Sequence, residues 1–225
     1  MADNGFVSEV LTVRLKGISS LLGSSPSDPD IYKEFIAAKN AKNAEENKAF
    51  AADADSIPVD EEKVEMKVTR FFKDKDGDII LKDYQVKGFL KNALNTLKDS
   101  VGVVAAASKV DKYVFVSNLE GGRDIKLMRA GKPIPQEDSI YERPLRAMTM
   151  QGPRVTLAAS EMVSMEDDED PWYLDVKIEV LFNKGTAKSK AVTAELIREV
   201  MEYGKFSGLL QFRNGGFGKF IVEDI

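Results

Sequence analysis

Two blocks of alternating secondary-structure patterns constrain the fold of this 225-residue chain more than any other feature. Each block predicts a strand, a helix and a strand, from period-two alternation in the strands and from apolar residues three and four apart in the helices. The blocks cover 6–16, 86–100 and 113–116, and then 172–182, 193–203 and 217–222. This order is the split βαβ arrangement. We therefore predict an α+β, ferredoxin-like or RRM-like fold, with an antiparallel sheet, two helices on one face and long β-hairpin insertions.

The segments between these elements predict a single domain, 1–225, with two insertions. The first insertion, at about 24–82, combines an acidic helix and loop with a hairpin around the Asp76-Gly77 turn. The second, at 118–141, is a long excursion rich in Gly, Pro and charge. Two further strands are expected within 141–163, joined by a Gly152-Pro153 turn.

The chain contains no His and no Cys. These absences exclude disulfides, thiolate nucleophiles, zinc sites with thiolate or imidazole ligands, and catalytic triads with an imidazole base. Any chemistry must use carboxylates, Lys, Tyr, Ser, Thr or a hard cation bound by oxygen atoms. No apolar run approaches the roughly 20 residues of a membrane span, so we expect a soluble, cytoplasmic protein that has no membrane partner and no cofactor.

Charge is unevenly distributed, although the chain as a whole carries a formal charge of −5. Residues 28–65 contain eleven acidic residues and five Lys, a net charge of −6. Residues 121–155 contain seven basic and four acidic residues, a net charge of +3. Because the local sign decides whether a polyanion can dock, the basic central region is compatible with a nucleic-acid partner.

A Gly-rich stretch between the last predicted helix and the last strand is the sharpest motif. Five Gly fall within 204–218, where Phe212 and Phe217 add stacking surface. Glycines of this kind let the backbone approach a ligand closely, while a helix C-cap at Gly204 followed by a turn is the alternative. The candidate nucleic-acid-binding residues here are Arg213, Asn214, Gly215, Gly216 and Lys219.

A second motif is Lys87-Gly88-Phe89-Leu90-Lys91, which is predicted to open the first helix. Free amides at a helix start, with Lys87 and Lys91 on either side of Gly88, can hold a phosphate. A plain helix cap is the alternative.

A third group of candidates is Arg143, Arg146 and Arg154 in the two strands of 141–163. Three guanidinium groups could contact phosphates. Alternatively, these side chains pair across the strands with Glu142 and Glu161.

The Gly-Phe-Leu-Lys helix start and the Phe-Arg-Asn-Gly-Gly-Phe-Gly-Lys loop resemble motifs of the RAMP superfamily of CRISPR-associated RNA-binding proteins, most closely its backbone subunits. Stretches 87–98, 141–159 and 202–222 also resemble a family of small prophage-encoded proteins. The resemblance implies a nucleic-acid backbone bound along one surface and head-to-tail assembly of copies in a bacterial host cell. It also implies a thumb-like hairpin, expected at 118–141, that reaches a neighbouring copy. The acidic segment 28–65 has no counterpart in that superfamily.

Two groups of carboxylates suggest alternatives to a binding role. In some RAMP backbone subunits an Asp in the loop before the first helix cleaves RNA; Asp28 and Asp30 match that place loosely, and helix N-capping by Asp30 is the alternative. Asp74, Asp76 and Asp78 surround Gly77, but their spacing favours a hairpin turn over a Ca²⁺ loop.

The sequence thus predicts a non-enzymatic protein of RAMP-like fold that binds single-stranded RNA or DNA through its backbone, as a homo-oligomer or filament. One alternative is an anti-defence decoy that mimics a CRISPR backbone subunit and binds a host defence complex. A second is a metal-dependent nuclease. Trp172, the single Trp, is expected in the core.

Overall fold

A computed structural model describes residues 5–33, 52–58, 60–61, 67–149, 152–165 and 170–225. The strands are β1 Phe6–Gly17, β2 Leu21–Leu22, β3 Phe72–Lys73, β4 Ile79–Lys82, β5 Val114–Ser117, β6 Asp124–Lys126, β7 Met128–Arg129, β8 Lys132–Pro133, β9 Ser139–Thr149, β10 Gly152–Val163, β11 Tyr173–Asn183 and β12 Phe220–Asp224. The helices are α1 Asp83–Thr96, α2 Lys98–Val101, α3 Ala106–Tyr113 and α4 Ala194–Met201. Short 3₁₀ turns lie at Ala54–Ser56, Lys188–Lys190, Glu202–Lys205 and Arg213–Gly215.

The main sheet is antiparallel and is built on the long pairing of β1 with β11. Their register runs from Phe6 opposite Asn183 to Lys16 opposite Tyr173. β12 pairs with the other edge of β1, while β5 and the β7–β8 hairpin pair with the free edge of β11. The strand order across the sheet is therefore β12, β1, β11 and β5.

The core lies between this sheet and the helices. β11 alternates between half-buried and buried positions along almost its whole length, as its apolar–polar alternation requires. Its buried residues form one cluster with Val13 and Leu15 of β1, with Phe89 and Leu90 of α1 and with part of α4. Trp172 is fully buried in the same cluster, as the sequence predicted.

Two smaller antiparallel sheets complete the molecule: β2-β10-β9 and β3-β4-β6. They are joined through residues 69–71. Thr69 bridges to Ser160 of β10, and the buried Arg70 Nε donates to Glu161 Oε1 over 2.8 Å. This region therefore fixes the base of the β9–β10 hairpin to the body of the protein.

The structure confirms an α+β protein with antiparallel sheets, and most predicted strands lie within a few residues of their expected positions. The first long helix begins at Asp83 instead of residue 86, because the Gln85 side chain accepts from the Lys82 amide and closes the first turn. Helix α3 was missed. It starts after Ala105, which has a left-handed φ of 53° that the sequence does not signal.

The segment 118–141 differs from the expected thumb-like hairpin. It contains the short strands β6, which pairs with β4, β7, which pairs with β11, and β8, which pairs with β7. It also buries Ile125, Leu127 and Ile134 in the core. Apolar residues buried in this way hold the segment against the sheet. The long hairpin of the described structure is β9–β10, which follows this segment.

Of the first insertion, the β3–β4 hairpin is present, and residues 29–33 are helical. Most of the acidic segment 28–65, in which the helix of this insertion is expected, and residues 166–169 lie outside the described residues.

Candidate nucleic-acid interface

The Gly-rich stretch forms a compact loop, 208–218, called here the Gly loop. The Leu209 amide donates to the Gly218 carbonyl over 2.9 Å, which closes the loop at its base. A Cβ added at Gly208 would lie 2.1 Å from the Phe217 carbonyl oxygen, and one added at Gly218 would lie 2.3 Å from that of Leu209. These two glycines therefore allow the backbone to approach itself, and not a ligand as the sequence suggested.

The tip of the loop holds two non-glycine residues in left-handed conformations, Leu210 (φ 60°) and Phe212 (φ 53°). Gln211 lies between them, and its Oε1 is 2.8 Å from Thr69 Oγ1 and 2.9 Å from Ser160 Oγ. Such strained conformations persist only where the surroundings fix them, and they concentrate at functional sites. The anchored Gln211 supplies that restraint.

An aromatic stack covers one side of the Gly loop. The rings of Phe212 and Phe217 stack with centroids 5.7 Å apart, and Tyr141 of β9 lies 4.7 Å from Phe217. The Arg143 guanidinium lies 4.0 Å from the centre of the Phe212 ring. Gly215 is required here, because an added Cβ would lie 2.2 Å from the same ring.

Carboxylate pairing separates the arginines into two groups. Ion pairs join Arg14 to Asp175, Arg70 to Glu161, Arg123 to Asp53, Arg129 to Asp138 and Arg198 to Glu202. Among the residues whose side chains the structure describes, Arg143 and Arg213 are the arginines without a carboxylate partner.

The unpaired charges lie on or beside the Gly loop. Nε and Nη1 of Arg143 are buried and have no hydrogen-bond partner within the described part of the chain. Buried donors left unpaired destabilise a fold. Because Nε and Nη1 are enclosed, an external acceptor reaches the Arg143 guanidinium through Nη2, the nitrogen of this group that is not among the buried atoms. The Lys219 ammonium, too, has no carboxylate partner among the described residues. The backbone amide of Lys219 donates to Ser19 Oγ over 2.8 Å.

The alternative that Arg143 pairs with Glu161 does not hold, because the Glu161 carboxylate accepts from Arg70 and from the Phe71 amide. Arg146 lies opposite Val155 and Arg154 opposite Ala147 in the hairpin. The side chains of Arg146 and Arg154 are outside the described part of the structure.

The prediction that the Lys87–Lys91 motif opens a helix is wrong. Gly88 is the sixth residue of α1, so the amides that follow it are already bonded within the helix and cannot cradle a phosphate. Both flanking cations bind Asp111 of α3: Lys87 Nζ donates to its carbonyl oxygen over 3.0 Å, and Lys91 Nζ lies 2.7 Å from its carboxylate.

Nevertheless, the fold brings two sequence motifs together. A cavity of about 220 Å³ lies between α1 and the Gly loop. Gly88 and Arg213 both line it. The remaining lining residues are Ser24, Tyr84, Gln85, Phe89 and Leu210.

A larger cavity, of about 860 Å³, lies elsewhere and is rich in carboxylates, including Asp55, Asp124 and Asp175. This charge is unfavourable for a polyanion. The cavity therefore does not belong to the candidate interface.

Asp74, Asp76 and Asp78 are the one group of carboxylates within the described residues that is close enough to hold a cation. Lys126 Nζ already lies 2.9 Å from Asp74 and 2.8 Å from Asp78. Hydrogen bonds to Asp78 and then Asp74 raise the pKa of Lys126 above its usual range, so the ammonium stays charged and occupies the position between these carboxylates that a cation would take. Asp74 Oδ1 also accepts from the Asp76 and Asp78 amides, as expected of a hairpin turn.

The loop carboxylates after β2 have a local structural role. Asp28 Oδ1 accepts from the Asp30 amide over 2.8 Å, at the start of the helical residues 29–33. Asp28 therefore takes the capping position that the sequence assigned to Asp30.

Sequence reasoning missed Tyr141, Gln211 and Ser24. No motif marks Tyr141 or Ser24, and Gln211 lies within the Gly-rich motif as a residue without charge or aromatic character. Their importance comes from positions that are distant in sequence: Gln211 meets Thr69 and Ser160, and Tyr141 meets Phe217.

Comparison of the sequence with protein-family models and with curated proteins finds no match. Within the described ranges, no helix has both the length and the apolar character needed to cross a bilayer.

Proposed function

We propose that this chain is a non-enzymatic protein that binds single-stranded RNA or DNA along the surface formed by the Gly loop and the neighbouring part of β9. One observation carries the proposal: two arginines without a carboxylate partner in the described structure lie at the Gly loop, Arg143 on the partly exposed ring of Phe212 and Arg213 at the next position along the chain. Cations next to aromatic side chains are the combination that single-stranded nucleic acids require.

In the proposed complex, Arg143, Arg213 and Lys219 contact phosphates, and Arg143 does so while stacked on Phe212. Guanidinium groups suit phosphate oxygens because their donors form a planar fork. Stacking on Phe212 also fixes the orientation of the Arg143 guanidinium before the ligand arrives, so less side-chain entropy is lost on binding. Contacts of this kind favour phosphates in general, so binding should tolerate many sequences and weaken with salt.

We further propose that the core is ferredoxin-like. The four strands β12, β1, β11 and β5 stand in the order fourth, first, third and second along the two βαβ blocks, and every pair is antiparallel. This order supports the split βαβ assignment. The RAMP-like character of the fold remains a proposal that rests on the short motifs and on this strand order.

We also propose that copies of this chain assemble into a homo-oligomer or filament in the cytoplasm of a bacterial host cell. The β9–β10 hairpin supports it, because seven residue pairs, from Arg143–Ala158 to Thr149–Gly152, extend beyond the Ser160 bridge at its base. A hairpin of this length spans roughly 20 Å at about 3.4 Å per residue, enough to reach a neighbouring copy.

The test compares a double variant, Arg143→Gln with Arg213→Gln, with the wild-type chain in titrations of a labelled 20-nucleotide single strand at several salt concentrations. Each lost phosphate contact should lower the slope of log K against log salt by about 0.7, so the double variant should lose about 1.4. Lys75→Gln with Lys132→Gln removes the same charge from two exposed lysines elsewhere and should leave the slope unchanged.

Three results would contradict the proposal. If the double variant keeps the wild-type affinity at low salt and the wild-type slope, the interface is wrongly placed. If the purified wild-type chain binds no oligonucleotide but captures a host defence complex, the decoy hypothesis replaces the proposal. Cleavage of labelled RNA or DNA that depends on Mg²⁺ would instead establish the nuclease hypothesis.

A further inference from the structure

The local structure does not explain why position 88 is a glycine. Gly88 lies inside α1, where Gly is the poorest helix former except for Pro. A Cβ added at Gly204 or Gly215 would collide with an aromatic ring, but one added at Gly88 would meet nothing within 4 Å. Neither tight packing nor a positive φ therefore requires Gly at this position. What the missing side chain does provide is open space in the wall of the cavity between α1 and the Gly loop.

The size of this cavity limits what can enter it. Its volume, about 220 Å³, is below the roughly 300–1,000 Å³ of sites for drug-sized ligands. A single planar ring system fits such a space, whereas a base pair does not. The opening therefore suits one small group that projects from a larger ligand.

The chemistry of the lining favours an aromatic, hydrogen-bonding group. Tyr84, Phe89 and Leu210 supply aromatic and apolar surface, and no carboxylate lines the cavity. Gln85 Nε2 donates to Ser24 Oγ over 3.0 Å, and within the described residues the Ser24 hydroxyl proton has no acceptor of its own. Ser24 can therefore donate to a carbonyl or ring nitrogen of a ligand.

Arg213 provides the link to the proposed interface. It lines the same cavity, and no carboxylate in the described structure pairs with it. A phosphate alone would find a single charged side chain in this cavity, Arg213, and the amides that follow Gly88 are bonded within α1. A phosphate bound by Arg213 outside the cavity would instead leave the interior for the base attached to it.

We propose that the cavity between α1 and the Gly loop accepts one unpaired nucleobase of a bound single strand. This inference rests on the proposed function and adds to it a reason for choosing single strands over duplexes, because a paired base cannot leave its stack without an energetic penalty. The base lies against Gly88 and Phe89, Ser24 donates to its edge, and Arg213 holds the adjacent phosphate.

The test combines a substitution that fills the cavity with an oligonucleotide that has no bases to place in it. Gly88→Leu places a side chain in the open space and raises helix propensity, so it should not impair folding. Asn95→Leu, at an exposed position of the same helix outside the cavity, is the matched control. The probes are labelled dT20 and a 20-residue abasic strand with the same phosphates, each titrated against all three proteins.

Wild-type protein and Asn95→Leu should bind dT20 about tenfold more tightly than the abasic strand, and Gly88→Leu should lose about tenfold for dT20. The two losses should not multiply, because Gly88→Leu and the abasic strand remove the same contact. Unchanged dT20 affinity in a folded Gly88→Leu protein would overturn the inference. Losses that multiply would also overturn it. Equal affinity of the wild-type protein for both probes would overturn it as well, because the cavity would then hold a phosphate or nothing. If the wild-type chain bound neither probe, the proposed function itself would fail.

Discussion

The buried ion pair between Arg70 and Glu161 offers the sharpest test of how the structure is held together. Glu161 is fully buried and Arg70 is 4% exposed. Glu161 Oε1 accepts from Arg70 Nε over 2.8 Å, and Oε2 accepts from the Phe71 amide over 2.9 Å. The substitution Glu161→Gln keeps the shape of the side chain. However, it removes the charge and replaces one acceptor oxygen with an NH₂ group.

The expected loss is large because the arginine remains buried. Besides Glu161, the Arg70 guanidinium donates to the carbonyl of Pro58, which carries no charge. Breaking a buried pair by removing one partner destabilises a protein by about 3–5 kcal/mol. Since typical domains are stable by about 5–15 kcal/mol, Glu161→Gln should remove a large part of the free energy of unfolding.

Urea unfolding followed by Trp172 fluorescence measures this loss. Trp172 is the single Trp and is fully buried, so its emission should report unfolding of the main core. The matched control is Glu223→Gln, which breaks the 3.6 Å pair with Lys16, where both side chains are about 40% exposed. An exposed pair of this kind contributes about 0–1 kcal/mol.

Two outcomes would refute the reasoning. A loss below about 1 kcal/mol for Glu161→Gln would show that the Arg70 charge is not desolvated as the structure indicates. A double variant, Arg70→Met with Glu161→Gln, should recover most of the lost stability, because no buried charge is then left unpaired and the amide oxygen at position 161 can still accept from the Phe71 amide. A double variant as unstable as Glu161→Gln would show that the loss comes from packing and not from charge.

Two further predictions concern the Gly loop and pH. Gly218→Ala should lower the free energy of unfolding by more than about 2 kcal/mol and weaken oligonucleotide binding, because φ is +69° and the new Cβ would lie 2.3 Å from the Leu209 oxygen. Gly121→Ala, at a φ of +90° in open space, is the control, and equal losses in urea unfolding would contradict the steric argument. Burial raises the pKa of Tyr32 to about 12 and that of its hydrogen-bond partner Tyr84 well above its usual range. Because these pKa values are raised in the folded state, the stabilisation from the neutral phenols is complete below pH 10 and is lost as pH rises toward 12. The free energy of unfolding, measured in urea between about pH 9 and 11, should therefore decline less when both residues are changed to Phe. An equal decline would show that these two tyrosines are not its cause.

The regular elements were predictable where local pattern and burial agree. The sequence of β11 alternates clearly and that of β1 alternates partly, and burial alternates along both strands in the structure. Helix α3 could not be predicted, because its start depends on the left-handed Ala105. The short strands β6 and β7 were also missed, because two or three residues carry no detectable period and form strands only by pairing with β4 and β11.

The candidate interface was predicted in part. The sequence identified Arg143 and Arg213 as cations of interest, but it could not show that they lack carboxylate partners in the described structure, because pairing is decided by residues far along the chain. The sequence also identified Gly88, but as part of a phosphate-binding helix start, and this was wrong because Gly88 lies within the helix.

By itself, the sequence determined the class of the fold and the types of chemistry open to the chain, because alternation, helical spacing and the absence of His and Cys are local properties that any fold of this chain must respect. Only the tertiary structure decided which charges are neutralised. It paired Arg70 with Glu161, placed Arg143 on Phe212 and brought Gly88 to face the Gly loop. The physical reason is that solvation and ion pairing depend on distances in space, and sequence separation does not fix them.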